Sequence, residues 1–330
     1  MKVKISRLED LARKALGYYG YDEQESQTIL EILMYAQLAD NNQGLVKLIG
    51  KGIPKSELAE ALEVVKDTKL SALLDGHRQM GMLVLKTAVD MALDKAREHG
   101  LGIVGTTNTL TSTGAIGYYA REIAREGFLG FVFSGSPSKV CAHGSYERIF
   151  GTNPLAIGVP SDGEPIVLDM ATAAMSNYGL IEAKVAGRSI RDDVAYDRQG
   201  NPTTSAAEAQ EGATRSFDRS YKGAGLAMMV EILTGPLVGA SFGDIHIERG
   251  RGNLVFVVDP ELLVDKQIFN HQVSQLAERV KNTKRLPGVD EILVPGEKES
   301  RSTRSKLESG EIEIEENLFR ELEKVAEASA

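Results

Sequence analysis

The sequence predicts an α/β fold, and three observations carry that expectation. Short apolar runs closed by turn signals recur between segments of helical periodicity. The 330 residues suffice for about two domains and a sizeable core. No GxGxxG follows a strand, so the usual dinucleotide fingerprint of a Rossmann domain is missing.

Residues 6–39 read as two amphipathic helices, with Leu8, Leu11, Ala12 and Leu16 on one face of the first and Ile29, Ile32, Leu33 and Ala36 on one face of the second. Gly17 and Gly20 separate them. Asn41-Asn42-Gln43-Gly44 forms a polar turn whose side chains are either caps or ligand contacts. Pro54-Lys55-Ser56 precedes a further short helix. The pattern is strand-like from Val64 to Leu74 and ends in the turn Asp75-Gly76-His77. Residues 80–98 form a helix that stops at His99-Gly100, and Leu101 to Thr106 is a buried strand.

The next loop is rich in Ser and Thr. Ser112, Thr113 and Gly114 open a helix running to Arg125, where free N–H groups serve either an anion or a plain Ser/Thr cap. Leu129 to Phe133 is a strand, and the segment from Ser134 to Pro154 is a long loop without structure of its own. Residues 188–215 are polar and rich in turns. Leu226 to Leu233 reads as a buried helix with Lys222 just before it, either a solvated flank or part of an anion site. Asn253 to Val258 is the last long strand, Phe269 to Lys281 is helical, VPGEKESRS is a loop, and the tail alternates before becoming a charged helix.

The stretch from Gly151 to Gly179 organises the rest. Leu155 to Val159 and Ile166 to Met170 are two strands joined by a turn at Ser161-Asp162-Gly163-Glu164. Thr152 and Asn153 precede the first, while Asp169 and Thr172 close the second, so ligand-capable groups border each strand.

Composition narrows the function. With 38 Lys+Arg against 47 Asp+Glu the net charge is -9, which offers no general attraction to nucleic acid or anionic membrane. Cys141 is the lone cysteine, so no internal disulfide forms and a reducing, cytoplasmic setting is the expectation. The five histidines, His77, His99, His143, His246 and His271, lack metal-ligand spacing, and no metal is expected. No run of about 18 apolar residues suggests a membrane span.

Five blocks, GAIGYYA (114–120), GTNPLAIGVP (151–160), VLDMAT (167–172), YKGAGLAMMVEILTG (221–235) and VPGE (294–297), together resemble the type-2 malate/L-lactate dehydrogenase family. With DGHRQMG (75–81) and the C-terminal GEIEIEENLFRELEKVA, the resemblance spans essentially the whole chain. It implies a non-Rossmann fold with a large mixed sheet, flanking helices and a helical N-terminal domain. On this pattern residues 1–74 are that domain, 75–115 with 255–330 a scaffold and dimerisation domain, and 116–254 a cofactor-binding domain. It further implies a homodimer using NAD or NADP on a small carboxylate: a 2-oxo acid, a 2-hydroxy acid or a cyclic imino acid. The implied cofactor contacts are Ser112, Thr113, Gly114, Asp169, Met170, Ala171, Thr172, Lys222, Gly296 and Glu297, with Thr152 and Asn153 near the substrate.

Two departures from the family pattern stand out. Where members carry Ser-His-Gly followed by an arginine, this chain has Asn42-Gln43-Gly44 followed by Lys47, and a second family histidine is replaced by Ser112. Ketone reduction needs a proton as the carbon is reduced, which glutamine cannot supply. His143 is the first replacement candidate, ahead of Tyr118, Tyr119 or a water, while Lys47 keeps a positive charge for a substrate carboxylate. A protonated imine needs less proton help, so cyclic imino acids gain ground. The competing reading is a family member that binds cofactor with lost or redirected catalysis; a phosphate-binding transferase at the Ser112 helix start is the third.

Overall fold

The computed structural model describes residues 1–110, 112–185, 187–245 and 250–328. Thr111 and His246, both named above, lie outside the described residues. In chain order the strands are β1 (Lys2–Lys4), β2 (Glu63–Asp67), β3 (Ser71–Asp75), β4 (Leu101–Thr109), β5 (Leu129–Ser134), β6 (Val140–Cys141), β7 (Arg148–Phe150), β8 (Leu155–Val159), β9 (Ile166–Met170), β10 (Ala195–Tyr196), β11 (Ala213–Thr214), β12 (Arg251–Val258) and β13 (Glu311–Glu313). The helices are α1 (Ile5–Tyr18), α2 (Glu23–Leu38), α3 (Gly81–His99), α4 (Gly117–Arg125), α5 (Asn177–Val185), α6 (Ala206–Glu211), α7 (Tyr221–Thr234), α8 (Lys266–Lys281), α9 (Glu297–Ser309) and α10 (Glu316–Glu327).

A seven-stranded sheet ordered β2-β3-β4-β12-β5-β8-β9 forms the centre. It is mixed, as expected: β3 and β4 run parallel, joined by the crossover helix α3, and the remaining neighbours are antiparallel. Its strands come from all three of the segments expected as separate domains. Alternate residues of β12 sort its faces. Val255 and Val257 join the core under α3 and α4, whereas Leu254 and Phe256 meet Val238 and Leu233 on the side of α7. Helix α4 lies so close to β8 that a Cβ at Gly158 would strike the Ala120 carbonyl.

The main core also holds Leu8, Leu16, Ile29, Ile32, Leu85 and Tyr119, all fully enclosed, each contributing roughly 1.5–3 kcal/mol of apolar burial. The two chain ends meet there. β1 pairs with β13, the Met1 ammonium donates to the Ile314 carbonyl at 2.7 Å, and α10 packs on α1. The helical N-terminal region is therefore completed by the C-terminal helix. A second, four-stranded sheet, β10-β11-β6-β7, stands apart with its own small core around Leu180 and Ala195.

Five expectations are corrected. No helix follows Ser56; Leu58 there is 65% exposed, and without a packed face the segment stays irregular until β2. The helix expected at Ser112 starts at Gly117, because Gly114 at φ +74 turns the chain out of helical geometry. The loop after Ser134 contains β6 and β7: β6 pairs with β11, distant in sequence, and β7 closes on β6 as a local antiparallel neighbour. α7 is half exposed, and Lys222 sits inside its first turn. The VPGE loop ends at Gly296, where α9 begins with Glu297 and Glu299 against the positive helix end.

Candidate active site

The end of β9 is the hub. Asp169 Oδ2 accepts the Gly117 N–H at 2.8 Å, so the anion at the start of α4 is the protein's own carboxylate. A Cβ at Gly117 would sit 2.8 Å from that oxygen and 2.9 Å from the Tyr35 hydroxyl, which explains a glycine here. Asp169 faces an open cleft of about 410 Å³ bordered by Tyr35, Asn41, Arg121, Gly296 and Glu299. Protein surrounds the carboxyl on most sides and pushes it up to about 6, although the cleft leaves the residue wetted. Burial, then the Asp169 charge, pushes the Tyr35 phenol up to about 12.

Arg121 stacks its guanidinium 4.5 Å from the centre of the Tyr35 ring, and its Nε is buried without a hydrogen-bond partner. Sequence reasoning passed over Arg121, Tyr35 and Glu299, whereas Asn41 lay in the polar turn read as caps or ligand contacts. Only the turn spacing from Gly117 to Arg121 on α4 hinted that the arginine shares a face with the helix start. At the far wall Gly296 adopts φ +80, and a Cβ there would lie 2.9 Å from the Val167 carbonyl. Glu297 is already neutralised by Arg301 at 2.6 Å and Lys281 at 3.0 Å. Burial raises its carboxyl, but the bonds from Lys281, the Val294 N–H and Arg301 outweigh that and hold it below the usual range.

Behind the cleft two loops are stitched together. The Thr172 N–H and hydroxyl both donate to the Thr152 carbonyl, at 2.9 and 3.0 Å, and the Thr152 and Ser136 hydroxyls are 3.1 Å apart. Asn153 is fully enclosed at φ +37, with its amide donating to the Ala227 carbonyl and the Glu231 carboxylate. Glu231 in turn accepts the Gly243 N–H at 2.7 Å and the Gly151 N–H at 3.3 Å. Asn153 thus spends its donors inside the protein.

The polar turn after α2 docks beside this hub. Asn42 donates to the Ser176 hydroxyl at 2.9 Å, four residues beyond Thr172, and Gln43 donates to Asn42 Oδ1 at 3.1 Å. Lys47 follows in a short 3-10 turn, Leu45–Leu48, packed on α1, α2 and α10. It is 2% exposed, its Nζ has no hydrogen-bond partner, and the Tyr178 ring lies over it with its centre 4.1 Å away. Burial alone pulls the ammonium down to about 7.

Ser112 Oγ accepts the Gly114 N–H at 3.1 Å, and the Thr113 and Ser134 hydroxyls are 3.1 Å apart, so this loop bends back on itself before Gly117 meets Asp169. Met170 and Ala171, half-buried, continue from Asp169 to Thr172. Lys222 and His143 fall outside the cleft. Both are exposed, and the His143 ring stands 6.4 Å from that of Tyr221 beside the start of α7. The structure therefore brings Asp169 and Gly296 to one cleft, ties Ser112 to Gly114 to it through Gly117, and seats Gln43 and Lys47 against the adjoining segment. Among the described residues no group of histidine, cysteine and carboxylates is arranged to hold a metal.

This architecture is similar to known proteins. The L-sulfolactate dehydrogenase of Methanothermobacter thermautotrophicus is 34% identical over 265 residues, covering 78% of this chain and 75% of that protein. A delta(1)-pyrroline-2-carboxylate reductase of Burkholderia ambifaria is 28% identical, covering 81% and 82% respectively. The structure of the sulfolactate dehydrogenase of Methanocaldococcus jannaschii superposes with a TM-score of 0.84 at 28% identity, over 100% of this chain and 97% of that one. The family model for malate/L-lactate dehydrogenase matches residues 3–323, and the chain belongs to that family of NAD(P)-dependent oxidoreductases.

Proposed function

We propose that the protein reduces a small 2-oxo acid or cyclic imino acid, and oxidises the matching product, at the junction of the Asp169 cleft and the Lys47 turn. One observation carries this reading: an unpartnered, buried ammonium at Lys47 lies on a turn bonded through Asn42 and Ser176 to the segment leaving Asp169. A buried cation without a counter-ion is costly, and a substrate carboxylate supplies one. The names of the relatives, a sulfolactate dehydrogenase and a pyrroline-2-carboxylate reductase, support a compact carboxylated or sulfonated substrate.

The residues around the cleft fit a nicotinamide cofactor, since Arg121 presents a buried Nε that no protein group satisfies and Gly296 keeps the opposite wall thin. Asp169, Met170, Ala171 and Thr172 hold it on one side, with Gly296 and Glu297 on the other and Ser112, Thr113 and Gly114 at the base. When bound it supplies the hydride. Gln43 and Ser112 shape the pocket, Thr152 and Asn153 fix the loop behind it, and Lys47 holds the substrate carboxylate. Lys222 and His143 serve only if cofactor or a second subunit reaches the surface beside α7.

That second subunit is part of the proposal. Tyr221, Met228, Met229, Ile232 and Leu237 expose an apolar face on and after α7, which a homodimer covers. Sedimentation should show a dimer that charged substitutions at Met228 and Ile232 dissociate. A cytoplasmic setting goes with Cys141, the single cysteine, which is free and buried. Steady-state assays of 2-oxo and cyclic imino acids with NADH and NADPH test the activity. Calorimetry separates the competing reading: cofactor binding without turnover of any substrate in the panel indicates a binding protein with lost or redirected catalysis.

A further inference from the structure

We propose that Lys47 is the acid–base residue of the reaction, its Nζ bridging the substrate carboxylate and the neighbouring C2 oxygen and exchanging a proton with that oxygen. This rests on the activity proposed above and assigns Lys47 more than a fixed charge. Lys47 is 2% exposed, its Nζ has no hydrogen-bond partner, and the face of Tyr178 lies over it. An ammonium has three donors, enough for two oxygens of one 2-oxo acid at once. The Tyr178 ring occupies the place such a substrate takes, offering a weak π contact until an anion displaces it.

The alternatives near the hub are poorer. Gln43 has no acidic proton to give, and among the described residues no histidine borders the Asp169 cleft. His143 lies exposed beside Tyr221. The groups around Lys47 leave its proton mobile. α1, α2 and α10 pack on its turn without adding a charge that shifts it, and Tyr178, the titratable group facing it from α5, is itself pushed up by burial and stays neutral. Burial alone brings Lys47 near neutrality, where one group serves as acid in one direction and base in the other.

The step balances. As C2 gains a hydride, with a C–H bond of the reduced nicotinamide breaking and a C2–H bond forming, the C=O π pair moves onto oxygen, an Nζ–H bond breaks and an O–H bond forms. Lys47 is left as a neutral amine and takes a proton back from water; oxidation runs the reverse. A guanidinium can hold the same two oxygens but does not give up its proton.

Lys47→Arg and Lys47→Met in the full-length protein separate the roles. In the Arg variant we expect KM within about threefold of wild type and kcat lower by on the order of 10²–10³, the size of general acid–base help. In the Met variant kcat falls similarly and KM also rises. The limb of the wild-type pH–kcat profile set by Lys47 should vanish in both. A readout independent of turnover is NMR of ¹³Cε-labelled lysine in cofactor-free protein, where one resonance titrating near neutrality should disappear on Lys47→Met. An Arg variant that keeps kcat within about threefold overturns the assignment and leaves Lys47 a charge anchor. So does a cofactor-free protein with no lysine titrating below the ordinary range. If the Arg variant does not fold, Lys47→Ala replaces it: rescue of kcat by methylamine supports proton transfer, and absence of rescue in a folded variant counts against it. Wild-type protein inactive on every 2-oxo and imino acid would instead overturn the activity itself, an outcome distinct from those above.

Discussion

Two buried polar corners flank the end of β9, and they are built on opposite terms. At the Asn153 corner the Glu231 carboxylate, 7% exposed, takes N–H groups from Gly151 and Gly243 and the amide of Asn153. At the Lys47 corner a cation just as deep has no hydrogen-bond partner and meets the face of Tyr178. In the first corner the carboxylate has its donors in the free protein, although Asn153 Oδ1 and Arg251 Nη1 beside it have no hydrogen-bond partner, whereas in the second the charge itself waits for a ligand. Buried charges satisfied internally make structure, whereas those left unpaired are where stability is traded for function. Substitutions at the two corners should therefore change stability with opposite signs.

The largest effect is expected at the finished corner. Glu231→Ala strips the acceptor from Gly151, Gly243 and Asn153 and leaves Arg251, 3.6 Å away, without its carboxylate. A loss of about 3–5 kcal/mol should follow in urea unfolding, the range for breaking a buried charged network. A loss under about 1 kcal/mol would mean that the corner is not the closed network its geometry describes.

The opposite sign belongs to Lys47→Met, which keeps an unbranched stem and removes the orphan charge. The folded-state value of about 7 lies below the ordinary 10.5, so between them the unfolded chain carries a proton that the folded chain lacks. The penalty is thus full below about pH 7 and disappears as pH rises toward 10.5. At pH 6 the variant should be more stable by roughly 2–4 kcal/mol, and the gain should shrink steadily above pH 7. A gain independent of pH would separate Lys47 from this account.

This contrast marks how far the sequence could be read. The strands of the Gly151–Gly179 stretch fall where local alternation and the turn at Ser161 to Glu164 put them, at β8 and β9. The family resemblance also pointed to Asp169, Lys47 and Gly296. What stayed hidden depends on distant partners. Glu231 joins Asn153 across 78 residues and Asp169 reaches Gly117 across 52, and neither pairing leaves a local trace. The isolation of Lys47 was equally illegible, because it is made by helices from both chain ends and by Tyr178 from α5. The start of α4 was open between an anion site and a Ser/Thr cap at Ser112 for the same reason: the acceptor, Asp169, comes from another strand.

Asp169→Asn tests the cleft between the corners. The amide oxygen can still take the Gly117 N–H, so α4 keeps its start while the charge is lost. We expect affinity for NADH or NADPH to fall by about tenfold, some 1.4 kcal/mol, measured by calorimetry. Because burial holds the Asp169 carboxyl above its ordinary value, its ionisation opposes folding. The ionised wild type should lose stability as pH rises from about 4 through 6, a slope that the Asn variant lacks. Unchanged affinity and an unchanged slope together would remove Asp169 from the cofactor cleft.

The smallest effect is expected at Thr172, where the two corners are stitched together. Thr172→Val preserves shape and removes one of two bonds to the Thr152 carbonyl, which keeps the Thr172 N–H at 2.9 Å. Because no buried group is left without a partner, the cost should be about 1 kcal/mol or less. The useful outcome is the split between stability and binding. If thermal stability falls slightly and cofactor affinity is unchanged, the hydroxyl belongs to the finished corner. If affinity drops tenfold while stability holds, the hydroxyl turns from Thr152 to the ligand on binding, and the line between finished structure and waiting site runs through this one side chain.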